Sequence, residues 1–144
     1  MAEGKLLIVD DNKSVLSALK LLLQNEFKCI ETISNPNVLP GLLKTGGFDV
    51  VLLDMNFSAG VNTGNEGLFW LAEIKKIDPA IEVVMFTAYG DIDLAVKATR
   101  IGAADFILKP WDNDKMIATL RTAFKLRFSN LEVKKAENQR TEHD

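Results

Sequence analysis

Asp10, Asp11, Asp54, Thr87 and Lys109 stand immediately after apolar runs of this sequence, and between them they carry every group needed to manage a doubly charged anion. Taken singly, each has an ordinary explanation. Asp10, Asp11 and Asn12 precede a helical pattern and are all candidate N-caps. Asp54 suits a turn, Thr87 a hydroxyl bonded to backbone, and Lys109 a surface charge. Independent caps and turns, however, have no reason to collect three carboxylates, one hydroxyl and one ammonium at equivalent places. Carboxylates brought within ~4–6 Å repel one another by several kcal/mol in total at an effective dielectric of about 20, so a cation must offset them. Oxygen donors without a histidine or thiolate beside them suit a hard cation, and Mg²⁺ accepts a few carboxylates while keeping water sites for a phosphate ligand. The only histidine, His143, lies in a polar tail. Mg²⁺, a lysine and a threonine around one aspartate are the parts that neutralise a transferring phosphoryl group. Asp54 is then the candidate nucleophile, forming an acyl phosphate.

The elements that position these groups are legible from periodicity. Runs rich in β-branched and aliphatic residues predict five strands at Lys5–Val9, Cys29–Ile33, Val50–Leu53, Glu82–Phe86 and Asp105–Leu108. Helical spacing fills the gaps. The first helix carries Val15, Leu19, Leu22 and Leu23 on one face, and the second Val38, Leu39, Leu42 and Leu43, with Pro40 tolerable only in its first turn. A third runs from about Asn65 to Ile77, and a fourth from about Asp91 to Ile101 with Gly102 as its C-terminal cap. The fifth starts near Asp112, turns Met116, Leu120, Ala123 and Phe124 inward, and is expected to continue past Phe128. Strict alternation of strand and helix implies a doubly wound α/β fold, a parallel five-stranded sheet covered on both faces. Ligands of such sheets bind beyond the carboxyl ends of the strands, where four of the five runs deliver their polar groups.

Composition is consistent with one domain. The 144 residues are 47% hydrophobic and 26% charged, close to the average for globular domains. No stretch approaches the ~20 apolar residues of a membrane helix, and Met1–Lys5 lacks the marks of an export signal, so a cytoplasmic location is expected. Cys29 stands alone and can make no internal disulfide. A net charge of −3 gives no basic footprint for nucleic acid.

The pair Asp10-Asp11, Asp54, Thr87-Ala88, Phe106 and Lys109-Pro110 together resemble the bacterial response-regulator receiver domains over roughly residues 4–128. The resemblance implies a flavodoxin-like fold with strand order 2-1-3-4-5. It implies that Asp11, Asp54 and the carbonyl of Asn56 bind Mg²⁺ directly, with Asp10 acting through water. It further implies that Lys109 contacts the phosphoryl group, that Thr87 and Phe106 act as the switch, and that the Lys109-Pro110 peptide is cis. The donor would be a phosphohistidine on a sensor histidine kinase. Phosphorylation would alter the face formed by helix four, strand five and helix five, and so promote a homodimer or partner binding. The segments Thr87-Ala88-Tyr89-Gly90-Asp91 and Gly102-Ala103-Ala104-Asp105-Phe106, with Lys109-Pro110-Trp111, are similar to the nitrogen-regulator class. In that class of alternative-sigma-factor-dependent activators an ATPase and a DNA-binding domain follow the receiver.

One feature departs from the family. Ser58 stands where receivers usually have a proline, and Gly67 opens the third helix, so the loop Phe57–Glu66 is about five residues longer than usual. Its glycines, Gly60 and Gly64, lack the lysine and spacing of a phosphate-binding loop. Haloacid-dehalogenase-like phosphatases, which also use a strand-end aspartate, need a second aspartate two residues later, where Asn56 stands. A dinucleotide module would need a Gly-x-Gly-x-x-Gly after the first strand, and none is there. Residues 1–128 are therefore expected to form the receiver, a phosphorylation switch that catalyses only its own phosphorylation and dephosphorylation. Residues 129–144, a polar helical extension, are expected to lead to a transcription-activating effector.

Overall fold

A computed structural model describes residues 3–55 and 65–142. Five parallel strands, β1 (Lys5–Val9), β2 (Cys29–Ile33), β3 (Val50–Asp54), β4 (Glu82–Ala88) and β5 (Asp105–Lys109), form one sheet in the order β2-β1-β3-β4-β5. The expected strand ends at Leu53, Phe86 and Leu108 fall one or two residues short, because Asp54, Thr87 and Lys109 still pair with the sheet. The helices are α1 (Lys13–Leu23), α2 (Leu39–Gly46), α3 (Asn65–Ile77), α4 (Ile92–Ile101) and α5 (Asn113–Glu142). Among the described residues no helix is long and apolar enough to cross a membrane.

Strand periodicity divides the core cleanly. Leu7, Val9, Val51, Leu53, Val83 and Met85 pack with Leu39, Leu43, Leu71, Ile74, Ala95 and Ala98, which is the α2–α3–α4 side. Leu6, Ile8, Val50, Leu52, Val84 and Phe86 pack with Leu16, Leu19, Leu23, Met116, Leu120 and Ala123, which is the α1–α5 side. Alternate residues thus serve opposite layers, and continuous apolar strands follow because both faces are dry. Burying side chains of this size stabilises by about 1.5–3 kcal/mol each, so the two layers dominate folding.

The helix ends follow local chemistry. Of the three candidate caps only Asn12 is one, its side chain accepting from the backbone N–H groups of Ser14 and Val15. α1 also sits differently from its expected face: Leu16 is buried, while Val15 and Leu22 are only partly so. Val38 lies in a 3₁₀ turn ahead of α2 and is exposed, and Pro40 falls in the first turn, where its missing N–H costs nothing. α4 ends at Gly102, whose φ of 133° is open only to glycine without strain. α5 begins at Asn113, just after Asp112, and continues well past Phe128.

At the pole opposite the strands' carboxyl ends, Arg127 of α5 donates to Asp49 (2.8 Å) and to Asp78 (3.2 Å). The Asp49 carboxylate also accepts from the backbone of Lys5 at 2.9 Å. One guanidinium thereby joins α5 to the turns entering β3 and leaving α3. Its fork geometry suits two carboxylates at once.

Candidate functional site

The strand register decides which side chains meet at the carboxyl edge. Asp54 pairs with Phe86, Ala88 with Lys109, and Phe86 with Ile107, so Asp54, Phe86 and Lys109 share the α1–α5 side. Asp10, one residue beyond β1, continues the alternation of Leu6 and Ile8 to the same side. Met85 pairs with Phe106, which packs against the α2–α3–α4 cluster, and Thr87 lies two residues further along the same face. The reactive groups thus fall into two sets, one on each side of the sheet.

The first set is tightly bound. Lys109 Nζ donates to Asp10 Oδ2 at 2.9 Å and to Asp54 Oδ1 at 3.1 Å. Asp10 and Asp54 are 1% and 5% exposed, which two carboxylates tolerate only with a cation at hand. Asp10 also accepts from the backbone N–H of Asn12 at 2.9 Å, which holds its carboxylate in place. One oxygen from each of Asp10, Asp11 and Asp54 lies within 4.8 Å of the others, a spacing that can hold one hard cation, bound directly or through water. The donor set is all carboxylate, with neither imidazole nor thiolate among these three residues, so the chemistry fits such an ion.

Electrostatics follow the geometry. Asp11 lies at the surface, yet its protein-facing side and, next, the charge of Asp10 raise its carboxyl above the ordinary 3.8, against the pull of Lys109. Glu66, in the first turn of α3, adds to the same upward push. For Lys109 burial works against the charge, but Asp54 and Asp10 outweigh it and hold the ammonium above the ordinary 10.5. The ammonium also lies 4.7 Å from the centroid of the Phe86 ring.

The second set is poised differently. Thr87 is 1% exposed, and its hydroxyl donates to the carbonyl of Ala88 at 3.3 Å, a long contact. Phe106 is half-buried against the α4 side of the core. The Lys109-Pro110 peptide is cis. Gly67 sits so close to Met55 that an added Cβ would lie 2.7 Å from the Met55 carbonyl oxygen, and its N–H donates to that oxygen at 3.1 Å. α3 is thereby seated directly on the residue after Asp54.

Of the residues expected at the site, Asp10, Asp11, Asp54 and Lys109 come together, while Thr87 and Phe106 belong to the other face of the sheet. Asn56 and the loop residues 57–64, like His143, lie outside the described residues. Nothing in the sequence marks Phe86 or Glu66 as part of the site, and Trp111 stands out only as the residue after Lys109-Pro110. Register alone points to Phe86, since it pairs with Asp54, but that pairing is invisible until strands three and four are aligned.

Residues 6–121 match the response regulator receiver domain family. Among curated proteins, the transcriptional regulatory protein ZraR of Escherichia coli (strain K12) is 33% identical over 118 residues, 82% of this chain and 26% of ZraR. The DNA-binding transcriptional regulator NtrC of Salmonella typhimurium is 32% identical over 123 residues, 85% of this chain and 25% of NtrC. The chain spans about a quarter of the length of these relatives. Of solved structures, the N-terminal signal receiver domain of a two-component system response regulator from Bacteroides fragilis is 52% identical. It aligns with a TM-score of 0.78 over 85% of this chain and 98% of that one. The receiver domain of NtrX from Brucella abortus is 30% identical, with a TM-score of 0.74 over 83% and 98% of the two chains. Fold, strand-edge site and sequence agree: the chain belongs to the response-regulator receiver domains of two-component systems, with relatives in the nitrogen-regulator class.

Proposed function

We propose that Asp54 accepts a phosphoryl group from a phosphohistidine on a sensor histidine kinase, and that the altered domain controls an attached transcription-activating effector. The observation that carries this reading is the Lys109 ammonium held between two buried carboxylates inside a three-aspartate cluster. A carboxylate that attacks phosphorus has to be held in one direction and needs a neighbouring cation that can follow the charge onto the transferred group; Asp54 has both. In the transfer an Asp54 oxygen forms the new bond to phosphorus while the phosphorus–nitrogen bond to the donor breaks. The imidazole leaves with that electron pair and takes up a proton.

Asp11, Asp54 and the carbonyl of Asn56 would hold Mg²⁺, with Asp10 bound through water, and the ion supplies positive charge for the phosphoryl oxygens. Lys109 releases one carboxylate and donates to the new oxygens. The Thr87 hydroxyl gives up its long contact with Ala88 for a charge-assisted one, worth about 1.5–3 kcal/mol. Phe106 then moves fully into the space beside α4, and the α4–β5–α5 face becomes the surface of a phosphorylation-dependent homodimer. Residues 1–128 are the switching domain and 129–144 lead onward to the effector. The switch works in the cytoplasm and catalyses only its own phosphorylation and dephosphorylation.

The test is incubation with acetyl phosphate and Mg²⁺, followed by intact mass and mapping of the modified residue. One phosphoryl group on Asp54 is expected, lost on chelation of Mg²⁺ and absent in Asp54→Asn. Phosphorylation at full rate in Asp54→Asn overturns the assignment.

A further inference from the structure

Lys109 reaches the site from the end of β5 on a flexible four-carbon stem, and two of its three donors are spent on Asp10 and Asp54. Two hydrogen bonds at the end of a flexible stem do not by themselves hold an ammonium midway, since it can settle onto either partner. A third contact completes its surroundings. The ring of Phe86 lies beneath the ammonium, 4.7 Å from centroid to Nζ, and is 0% exposed. A ring face attracts a cation without offering a lone pair, so it locates the ammonium while leaving its last N–H for an incoming oxygen. The ring itself is braced: Trp111 meets it in an edge-to-face contact at 5.7 Å and 60°. Trp111 is fixed in turn by donating Nε1–H to Asn113 Oδ1 at 3.0 Å, and Asn113 opens α5.

We propose that Phe86, braced by Trp111, is a positioning residue for the phosphoryl-transfer step, holding Lys109 on the line between Asp10 and Asp54 with one donor directed outward. The proposal rests on the phosphoacceptor reading of Asp54, and it adds a requirement that carboxylates and lysine alone do not carry. Leucine at position 86 would fill the core and leave the ammonium free to collapse onto one aspartate. The proposal also ties the β5–α5 turn to the chemistry, because the indole that braces the ring is bonded to the first residue of α5.

The test separates the contact from the reaction. In the unphosphorylated protein without metal, the Lys109 ε-methylene protons should be shifted upfield by the ring, and Phe86→Leu should return them to the ordinary lysine position. An ordinary position in the wild type overturns the contact. Replacing Phe86 by mono-, tri- and pentafluorophenylalanine keeps the ring's shape while draining its face of negative charge. The rate of phosphorylation by acetyl phosphate should fall stepwise, to about a tenth at the end of the series. A flat series shows that Phe86 serves the core alone, and the proposal fails. If the wild type takes up no phosphoryl group at Asp54, the functional reading fails instead, and the methylene shift still decides whether ring and ammonium meet.

Discussion

Lys109 is the one cation bonded to Asp10 and Asp54 among the described residues, and its removal separates two effects usually confounded. Lys109→Ala leaves two carboxylates, 1% and 5% exposed, facing each other without their ammonium. Breaking a buried pair from one side costs about 3–5 kcal/mol, and with Lys109 29% exposed the smaller end applies. The variant should be less stable than wild type in urea without divalent ions and should regain much of the loss in millimolar Mg²⁺. Phosphorylation by acetyl phosphate should nevertheless be slow at saturating Mg²⁺. Equal destabilisation with and without Mg²⁺ would contradict a metal site built on Asp10, Asp11 and Asp54. The aspartates and the lysine were legible in the sequence because several charged groups recur at equivalent strand ends, although each taken alone reads as a cap, a turn or a surface charge. Phe86 was not, because an aromatic inside a strand reads as core, and its second neighbour becomes visible only when the register puts it beside Asp54.

Elements carry the switch and its foundations. Thr87 and Phe106 share one face of the sheet on neighbouring strands, the placement that the proposed switch requires. Thr87→Ala should still accept a phosphoryl group, while amide exchange in α4 and α5 should no longer respond to it. An unchanged response in that variant would sever the proposed coupling. α3 makes a second case. Gly67→Ala places a methyl group 2.7 Å from the Met55 carbonyl oxygen, which is backbone and cannot step aside, so helix or strand end must shift. A cost of about 1–3 kcal/mol in urea unfolding is expected, together with slower phosphorylation, since Met55 follows Asp54 directly. The alternation of elements was legible from spacing, and Gly67 near the head of α3 from the resemblance to the receiver family. Which of Asp10, Asp11 and Asn12 caps α1 was not, because all three have capping side chains and only the bend after β1 selects Asn12. The burial of Leu16 was not legible either, because five of the eleven residues of α1 are leucines and spacing alone does not orient the helix.

For the molecule as a whole, the chemistry lies at one pole of the sheet and the Arg127 clamp at the other, bound to Asp49 and Asp78. The clamp was hidden from sequence because its three residues belong to turns and a helix far apart in the chain, and surface arginines seldom declare their partners. Arg127→Ala, at a side chain only 12% exposed, should cost about 1–3 kcal/mol in urea unfolding while leaving the rate of phosphorylation by acetyl phosphate as in wild type. A loss of phosphorylation in a folded Arg127→Ala protein would show that the two poles are not independent. The same clamp bears on whatever lies beyond it. Fifteen residues of α5 follow Arg127, and at 1.5 Å per residue they reach about 22 Å from the guanidinium. A helix held at its root behaves as a lever, and a tilt of about ten degrees at the fulcrum carries its tip about 4 Å. Small rotations of α5 within the domain thus become displacements large enough to make or break a contact between two proteins.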